Sequence, residues 1–406
     1  MHDDEALDEL CKVLYAKIYD ERRTVDEGEK AAFRFQTFGA GNVEEIASNI
    51  RDLYDEARTK DLTVYAQRIP GCERSRGVFR AQIRLSSNCL VRVVELLQQF
   101  SIIDTRGDIK GRAFQMVLGP AIRAGMGQYF TPDPVVRLVV GILNPKVSDV
   151  IIDPFCGSGH FLTACLDYVL ATNTNATEYT LHQFRFFHLH GIEKSDRMVR
   201  IAMTDMMLHD DGHSNVRNAD ALLSFDNYPD IKALADEKKT QSSSGNPEVF
   251  DIVVTNPPFG SLMGGEIGNI LGRFQLGAGK SSLPLEILAL ERCFQLLRPG
   301  GKLAIVLQDG VLTDDRHEFV RQWYHANAEL VAVVSLPTHT FTPFGANPKT
   351  SVLFLRKRKP GEKPVPEAKT FFGRLDAIGY DATGRPEKGS EIDEMIKAFH
   401  AEGGWH

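Results

Sequence analysis

The residues best suited to chemistry are four consecutive ones, Asn256-Pro257-Pro258-Phe259. They follow an apolar run, residues 250–254, which is typical of a buried strand in a mainly parallel sheet. Because proline cannot continue a central strand, the strand is predicted to end there. The turn then offers two acceptors, the Asn256 amide oxygen and the Pro257 carbonyl, and the aromatic face of Phe259. These groups suit a planar ring that bears an amino group. The simpler alternative is a proline-rich turn with a core phenylalanine.

A second candidate site is the glycine-rich segment Asp153-Pro154-Phe155-Cys156-Gly157-Ser158-Gly159. It lies between a short predicted strand, residues 150–152, and a helix predicted to begin near His160. Glycines in such a turn let a ligand approach the backbone closely. The spacing is not that of a dinucleotide-binding turn, and the acid that opens it would repel phosphate. A sulfonium amino acid with a free ammonium group suits this acid better.

Two further acids follow predicted strands. Glu193 ends a strand predicted over residues 188–192, and an acid at the end of a second strand can accept hydrogen bonds from ribose hydroxyls. Asp220 follows a strand predicted over residues 216–219. It could accept a hydrogen bond from an adenine amino group, or it could simply cap a helix.

Upstream of these strands lies Gly127-Gln128-Tyr129-Phe130-Thr131-Pro132. Apolar residues at helical spacing follow it, so we expect Thr131 to cap a helix with Pro132 at its first position. The functional question is whether Tyr129, Phe130 and Thr131 line a pocket.

The chain is predicted to contain three parts. Residues 1–115 carry helical periodicity without strand–helix alternation and are expected to form an all-α domain that offers a surface to a partner or to DNA. Residues 116–360 form the catalytic α/β domain, and residues 361–406 are a tail with one helix, predicted over 391–399. A basic run, residues 356–359, is interpreted as a solvated strand end, with phosphate contact as the alternative.

Composition narrows the class of protein. A net charge of -7 argues against a strongly basic nucleic-acid binder that acts alone, although a basic partner could supply the phosphate contacts. Six cysteines without a C-x-x-C pair fit a reducing cytosol and give no zinc signature. Residues 209–213, His-Asp-Asp-Gly-His, are interpreted as a solvated turn rather than a metal site. No metal, signal peptide or membrane span is expected, and the protein is expected to be cytoplasmic.

In order and spacing, these motifs resemble the class I S-adenosylmethionine-dependent methyltransferases. Within that class the chain is most similar to the adenine-N6 DNA methyltransferases, and above all to the modification subunits of type I restriction-modification systems. The resemblance covers essentially the whole chain. It implies a Rossmann-like, mainly parallel seven-stranded sheet preceded by an all-α N-terminal domain.

The resemblance also implies roles for individual residues. The target base would be bound by Asn256, Pro257, Pro258 and Phe259. The ribose hydroxyls of S-adenosylmethionine would be bound by Glu193 and its adenine by Asp220. The rest of the cofactor site would be formed by Tyr129, Phe130, Thr131, Asp153, Phe155, Cys156, Gly157, Ser158, Gly159 and Asn256. His160 departs from the family, which usually has a small residue there.

The implied function is site-specific transfer of a methyl group to adenine N6 in double-stranded DNA. The implied partners are a DNA-specificity subunit, a restriction (nuclease) subunit and a second copy of the chain, because little of this sequence is left to read a DNA site. Two alternatives stay open. One is a methyltransferase that acts on a glutamine amide or on a guanine of ribosomal RNA, and the other is a non-catalytic assembly subunit.

Overall fold

The computed structural model describes residues 3–28, 32–39, 41–68, 81–105, 109–111, 113–114, 130–209, 215–237, 245–260, 262–263, 268–345, 347–365 and 368–405. Its α-helices are α1 (Asp3–Glu27), α2 (Val43–Arg68), α3 (Ser87–Leu97), α4 (Asp133–Leu143), α5 (His160–Thr172), α6 (Glu178–Gln183), α7 (Asp196–Leu208), α8 (Pro229–Glu237), α9 (Gly268–Leu271), α10 (Leu285–Leu296), α11 (Asp309–Thr313), α12 (Glu318–Asn327) and α13 (Ile392–Ala401). Its strands are β1 (Ile151–Asp153), β2 (Leu189–Glu193), β3 (Val216–Asn218), β4 (Phe250–Thr255), β5 (Leu262–Met263), β6 (Leu283–Pro284), β7 (Leu297–Gln308), β8 (Ala328–Ser335), β9 (Thr350–Lys357) and β10 (Phe371–Arg374).

Within the described residues, eight strands form one sheet in the order β10-β8-β9-β7-β4-β1-β2-β3. β9 runs antiparallel to both of its neighbours, and the other pairs are parallel. The predicted α/β class is confirmed, but the sheet has eight strands instead of seven. The additional strand, β10, comes from the tail and pairs with β8 at the sheet edge. Its sequence, Phe-Phe-Gly-Arg, is too short to carry an alternation that predicts a strand.

Two apolar cores cover the two faces of the sheet, and side chains alternate between them as the period of a strand requires. Ile151 of β1 belongs to the core that includes residues of α4, α5, α7 and α13, whereas Ile152 belongs to the core that includes residues of α8, α10 and α12. Both faces are therefore covered by helices, which explains why the strands read as continuous apolar runs.

The N-terminal helices α1, α2 and α3 share a third core, which also includes Met198 and Ile201 of α7. At this contact Arg200 of α7 donates to Asp8 of α1 across 2.7 Å. Helix α7 therefore packs on the sheet with one face and on the N-terminal helices with another. The core also includes Phe130, directly before the candidate site.

The tail packs on α4. His400 contacts the Gly141 carbonyl at 2.9 Å, and Trp405 donates to the Ile142 carbonyl at 2.7 Å. A Cβ at Gly141 would lie 2.5 Å from Cδ1 of Ile396 in α13, so a larger residue there would force the Ile396 side chain to shift. The predicted tail helix is confirmed, and its apolar side is used within the chain.

Two local interpretations change. His209 is not solvated: it is buried beside Asp167 and Asp205. Burial alone would lower the pKa of His209, but these carboxylates raise it to about 9. The rest of that cluster lies outside the described residues.

The basic run, residues 356–359, is interpreted from its sequence as a solvated strand end, but two of its side chains have partners within the chain. Arg356 pairs with Glu329, and Lys357 donates to backbone carbonyls.

Candidate active site

The polar residues selected from the sequence lie along one edge of the sheet. β4, β1, β2 and β3 are adjacent and parallel, so their carboxyl ends meet there. Asn256, Asp153, Glu193 and Asp220 are each the last residue of one of these strands or follow it by one or two positions. Parallel α/β sheets bind ligands at this edge. The antiparallel β9 instead carries its basic run to the opposite edge.

A cleft of about 360 Å³ opens at this edge. Most of the described candidate residues line it, although they come from segments more than a hundred positions apart. Its lining residues are Phe130, Thr131, Asp153, Phe155, Cys156, Gly157, Ser158, His160, Phe161, Met198 and Asn256. Tyr129 lies outside the described residues. The described candidates that are not in the lining are Gly159, Glu193, Asp220, Pro257, Pro258 and Phe259, although Glu193 contacts Gly157 of the lining.

Asp153 is the buried acid of this cleft, with 1% of its surface exposed. The Phe155 N–H donates to its carboxylate across 3.0 Å. Burial, with a contribution from the negative charge of Glu193, raises the pKa of Asp153 to about 7. Among the described residues no lysine or arginine forms an ion pair with it. An incoming ammonium group would supply the missing positive charge, so the site fits an amino acid ligand.

The glycine loop has the shape that its sequence predicts. Gly157 (φ +52°) and Gly159 (φ +82°) adopt left-handed conformations that other residues rarely adopt. A Cβ at Gly159 would also lie 3.2 Å from Ala202, so glycine allows α5 to begin close to α7. A Cβ at Gly157, by contrast, would meet nothing within 4 Å. The loop therefore presents bare backbone to the cleft.

Glu193 and Asp220 are both anchored to the backbone. Glu193 accepts from the Gly157 N–H at 3.1 Å and the Ser195 N–H at 2.7 Å. Asp220 accepts from the N–H of Leu222, two residues on, and its other oxygen pairs with Lys194 at 3.0 Å. Each carboxylate oxygen can accept more than one hydrogen bond, so these contacts leave capacity for a ligand.

Asn256 is buried, and among the described residues only one end of its side-chain amide has a hydrogen-bond partner. Its Nδ2 donates to the Thr131 hydroxyl across 3.0 Å. Its Oδ1 is buried and has no hydrogen-bond partner among the described residues. A buried amide oxygen without a partner is costly, so this atom is an acceptor prepared for a donor that enters the cleft. Thr131 does not cap α4 as predicted, because Pro132 holds the cap position without a side-chain bond.

The other three residues of the proline turn differ in their exposure to solvent. Pro257 is buried and Pro258 is exposed. Phe259 is 5% exposed and packs edge-to-face on Phe341, with ring centroids 5.5 Å apart. The alternative of a core phenylalanine therefore describes its position in this structure. To stack on a ligand, the buried ring of Phe259 would have to move and expose one of its faces.

Sequence reasoning missed two residues of the lining, Phe161 and Met198. Phe161 adjoins His160 in the first turn of α5, so a helix starting at the glycine loop could have pointed to it. Met198 is near the start of α7, and nothing in its sequence context marks it as different from a core methionine. His160, the noted departure, lies 3.4 Å from the Asp133 carboxylate.

Comparison with known proteins decides the family. The family model described as N-6 DNA Methylase matches residues 106–404. The chain belongs to this family. The methylase subunit of the type I restriction enzyme EcoEI from Escherichia coli is 27% identical over 281 residues, which cover 67% of this chain and 52% of that protein. The EcoKI methylase subunit of Escherichia coli K12 is 30% identical over 242 residues, 58% of this chain and 41% of that one. This N-6 DNA methylase chain thus spans about half the length of these curated relatives.

Solved structures confirm the predicted class I methyltransferase fold. A chain from a structure of type I R-M system assembly aligns with a TM-score of 0.67 at 20% identity, over 99% of this chain and 80% of that one. A Listeria monocytogenes protein, provisionally named a class I S-adenosylmethionine-dependent methyltransferase, aligns with a TM-score of 0.56 at 15% identity, over 99% and 100% of the two chains. Among the described helices of this N-6 DNA methylase chain, none is both long and apolar enough to cross a membrane.

Proposed function

We propose that this chain transfers a methyl group from S-adenosylmethionine to the N6 amino group of adenine in duplex DNA. It would do so in the cytoplasm, as the modification subunit of a type I-like restriction-modification system. The observation that carries the proposal is that Asn256, whose buried side-chain oxygen has no partner among the described residues, lines one cleft with the buried Asp153. The Asn256 oxygen suits an amino group of a base, and the Asp153 carboxylate suits the ammonium group of the cofactor.

The cofactor would lie across the glycine loop. Asp153, Cys156 and Gly157 would hold its methionine part, with help from Phe130 and Thr131. Phe155, Ser158 and Gly159 would shape the same loop. The ribose hydroxyls would donate to Glu193, and the adenine amino group would donate to Asp220. When bound, the cofactor supplies a methyl group on a positively charged sulfur.

The chain's own residues would prepare the adenine. Its amino nitrogen is a poor nucleophile because the lone pair is delocalised into the ring. Asn256 Oδ1 and the Pro257 carbonyl would accept hydrogen bonds from its two N–H groups and so favour a tetrahedral nitrogen with a free lone pair. The same acceptors would stabilise the positive charge that develops on nitrogen. The base must leave the duplex to reach them, and Phe259 would stack on it once its ring has moved to expose a face.

The proposed domains are residues 1–115, 116–360 and 361–406, and the first and last would dock other subunits. The proposed partners are a DNA-specificity subunit, a second copy of this chain and a nuclease subunit. The names of the relatives, which are type I methylase subunits, support this assembly. The apolar side of α13 packs within the chain, so only its outer, charged side is available for docking.

The test is transfer of labelled methyl groups from S-adenosylmethionine to duplex DNA, followed by separation of the nucleosides. Label in 6-methyladenine is the expected result. Label in N4-methylcytosine, in a protein glutamine or in ribosomal RNA guanine would replace the proposed substrate with another. Cofactor binding without transfer to any of these, with partners present, would favour the non-catalytic assembly subunit.

A further inference from the structure

We propose that Thr131 is a positioning residue, whose hydroxyl holds the Asn256 amide so that its oxygen faces the target amino group. This inference rests on the proposed function and deepens it. The sequence assigns Thr131 to a helix cap or to cofactor binding. The structure gives its hydroxyl a specific protein partner, Asn256 Nδ2, 125 positions further along the chain.

The amide of Asn256 has two chemically different ends, and only one can serve an amino group. Its oxygen accepts hydrogen bonds, whereas its nitrogen only donates them. Rotated by 180°, the amide would present N–H groups to the N–H groups of the base, and the contact would become repulsive. Because Nδ2 is bound by Thr131, the oxygen is left as the buried atom without a partner among the described residues. In this structure the hydroxyl acts as the acceptor, and this hydrogen bond holds the amide in place with its oxygen left for the base.

Thr131 is itself held on both sides. Phe130, before it, is buried in the core of the N-terminal helices. Pro132, after it, is the N-cap residue of α4, whose apolar face packs on the sheet. Both neighbours restrict the backbone of Thr131, and a supporting residue must be fixed before it can fix another. Asn256 in turn follows β4, one of the central strands.

The test compares Thr131→Val, which keeps the side-chain shape but removes the hydroxyl, with Thr131→Ser, which keeps the hydroxyl. In this chain with its partners, Thr131→Val is expected to lower kcat about 10- to 100-fold, because misplacing a reacting group by about 1 Å costs on that order. Thr131→Ser should restore most of the loss. The dissociation constant for S-adenosylmethionine, measured by calorimetry, should change by less than about fivefold in both variants, since the variants alter at most one neutral hydrogen bond.

A matched control is Thr204→Val. Its hydroxyl is also buried and donates to the Arg200 carbonyl within α7, outside the cleft lining. This variant should leave kcat unchanged, which excludes a general effect of losing a buried hydroxyl. Thermal unfolding of all three variants checks that they are folded.

A second readout does not depend on activity. In a chain labelled with ¹⁵N-asparagine, the side-chain amide protons of Asn256 should exchange slowly with water and lose that protection in Thr131→Val but not in Thr131→Ser. An unchanged kcat with weakened cofactor binding in Thr131→Val would overturn the proposal and leave Thr131 a cofactor ligand. Unchanged amide exchange would overturn it as well. A wild-type chain that transfers no methyl to DNA would refute the proposed function, whereas amide exchange would still decide the Thr131–Asn256 contact.

Discussion

The backbone N–H of Gly157 donates to the Glu193 carboxylate across 3.1 Å, and this contact ties the glycine loop to the end of β2. The Ser195 N–H binds the other carboxylate oxygen. Glu193 therefore stabilises the glycine loop even without a ligand. The loop and Glu193, the proposed ribose acceptor, are fixed relative to each other. Burial raises the pKa of Glu193, while these N–H groups oppose that rise.

The first prediction follows from these two roles of Glu193, which anchors the loop and is proposed to bind the ribose. Glu193→Ala removes both the proposed ribose contacts and the anchor of the loop, so we expect the affinity for S-adenosylmethionine to fall about 10- to 100-fold, as hydrogen bonds to charged groups are stronger than neutral ones. Calorimetric titration measures this. Asp220→Ala is the comparison, because Asp220 does not anchor the loop; a larger loss there than in Glu193→Ala would contradict the assignment.

The second prediction separates cofactor binding from chemistry. Asn256→Ala removes a proposed transition-state acceptor and should lower kcat by about two to three orders of magnitude while cofactor affinity stays close to that of the parent chain. Asp153→Ala should instead weaken cofactor binding itself. Single-turnover methyl transfer and calorimetry measure the two quantities. Near-parental transfer by Asn256→Ala would mean that this turn is not the base site.

The third prediction is a pH dependence of cofactor affinity. An ammonium group binds the ionised form of Asp153, whose pKa in the free chain is raised to about 7, chiefly by burial. Below that pH the carboxyl must first lose its proton, so affinity should fall by up to about tenfold per pH unit. Titrations between pH 5.5 and 7.5 measure the slope. Asp153→Asn should bind more weakly with no such slope, and a slope that persists in it would assign the effect to another group.

Periodicity predicted most of the sheet and the helices that bound the site. Helix α5 begins at His160 as predicted, and β4 ends at Thr255, next to the predicted stop. These elements combine strong apolar patterning with clear stop signals. Because parallel strands share one edge, the grouping of Asp153 and Asn256 was also predictable.

The remainder depends on contacts between distant segments, which periodicity does not report. The bond from Asn256 to Thr131 and the packing of Phe259 on Phe341 need the folded chain. The burial of His209 is set by α5 and α7 together, through Asp167 and Asp205. β10 is held by pairing with β8 rather than by its own propensity.

The fourth prediction concerns stability. Glu286 of α10 is 3% exposed, and its Oε2 has no hydrogen-bond partner among the described residues. Burial raises its pKa from 4.5 to about 7, although the Gly260 N–H opposes this. The folded state therefore keeps a proton that the unfolded state releases, and stability is lost as pH rises from about 4.5 to about 7. Glu286→Gln should raise the free energy of unfolding at pH 8 by up to about 3 kcal/mol and by little at pH 4.5.

Urea unfolding at the two pH values measures this difference. Glu291→Gln on the same helix is the matched control, because both Glu291 oxygens already accept backbone N–H groups, from Gln275 and Leu276. An amide can replace only one of these acceptors, so this variant should destabilise the chain. Equal effects of the two substitutions would show that the Glu286 oxygen is satisfied after all.

The last prediction is that the purified chain does not select a DNA sequence. Readout of bases requires side chains placed in a groove, and general attraction to DNA requires positive charge. The net charge is -7, and Arg356 and Lys357 are engaged within the chain at the edge opposite the cleft. The purified chain should therefore bind S-adenosylmethionine but bind DNA weakly, with strong salt dependence and no sequence preference, and methylate it slowly.

Adding a specificity subunit should concentrate methylation at one sequence, which sequencing of 6-methyladenine sites would detect. Methylation of a single motif by the purified chain alone would contradict the proposed division of labour.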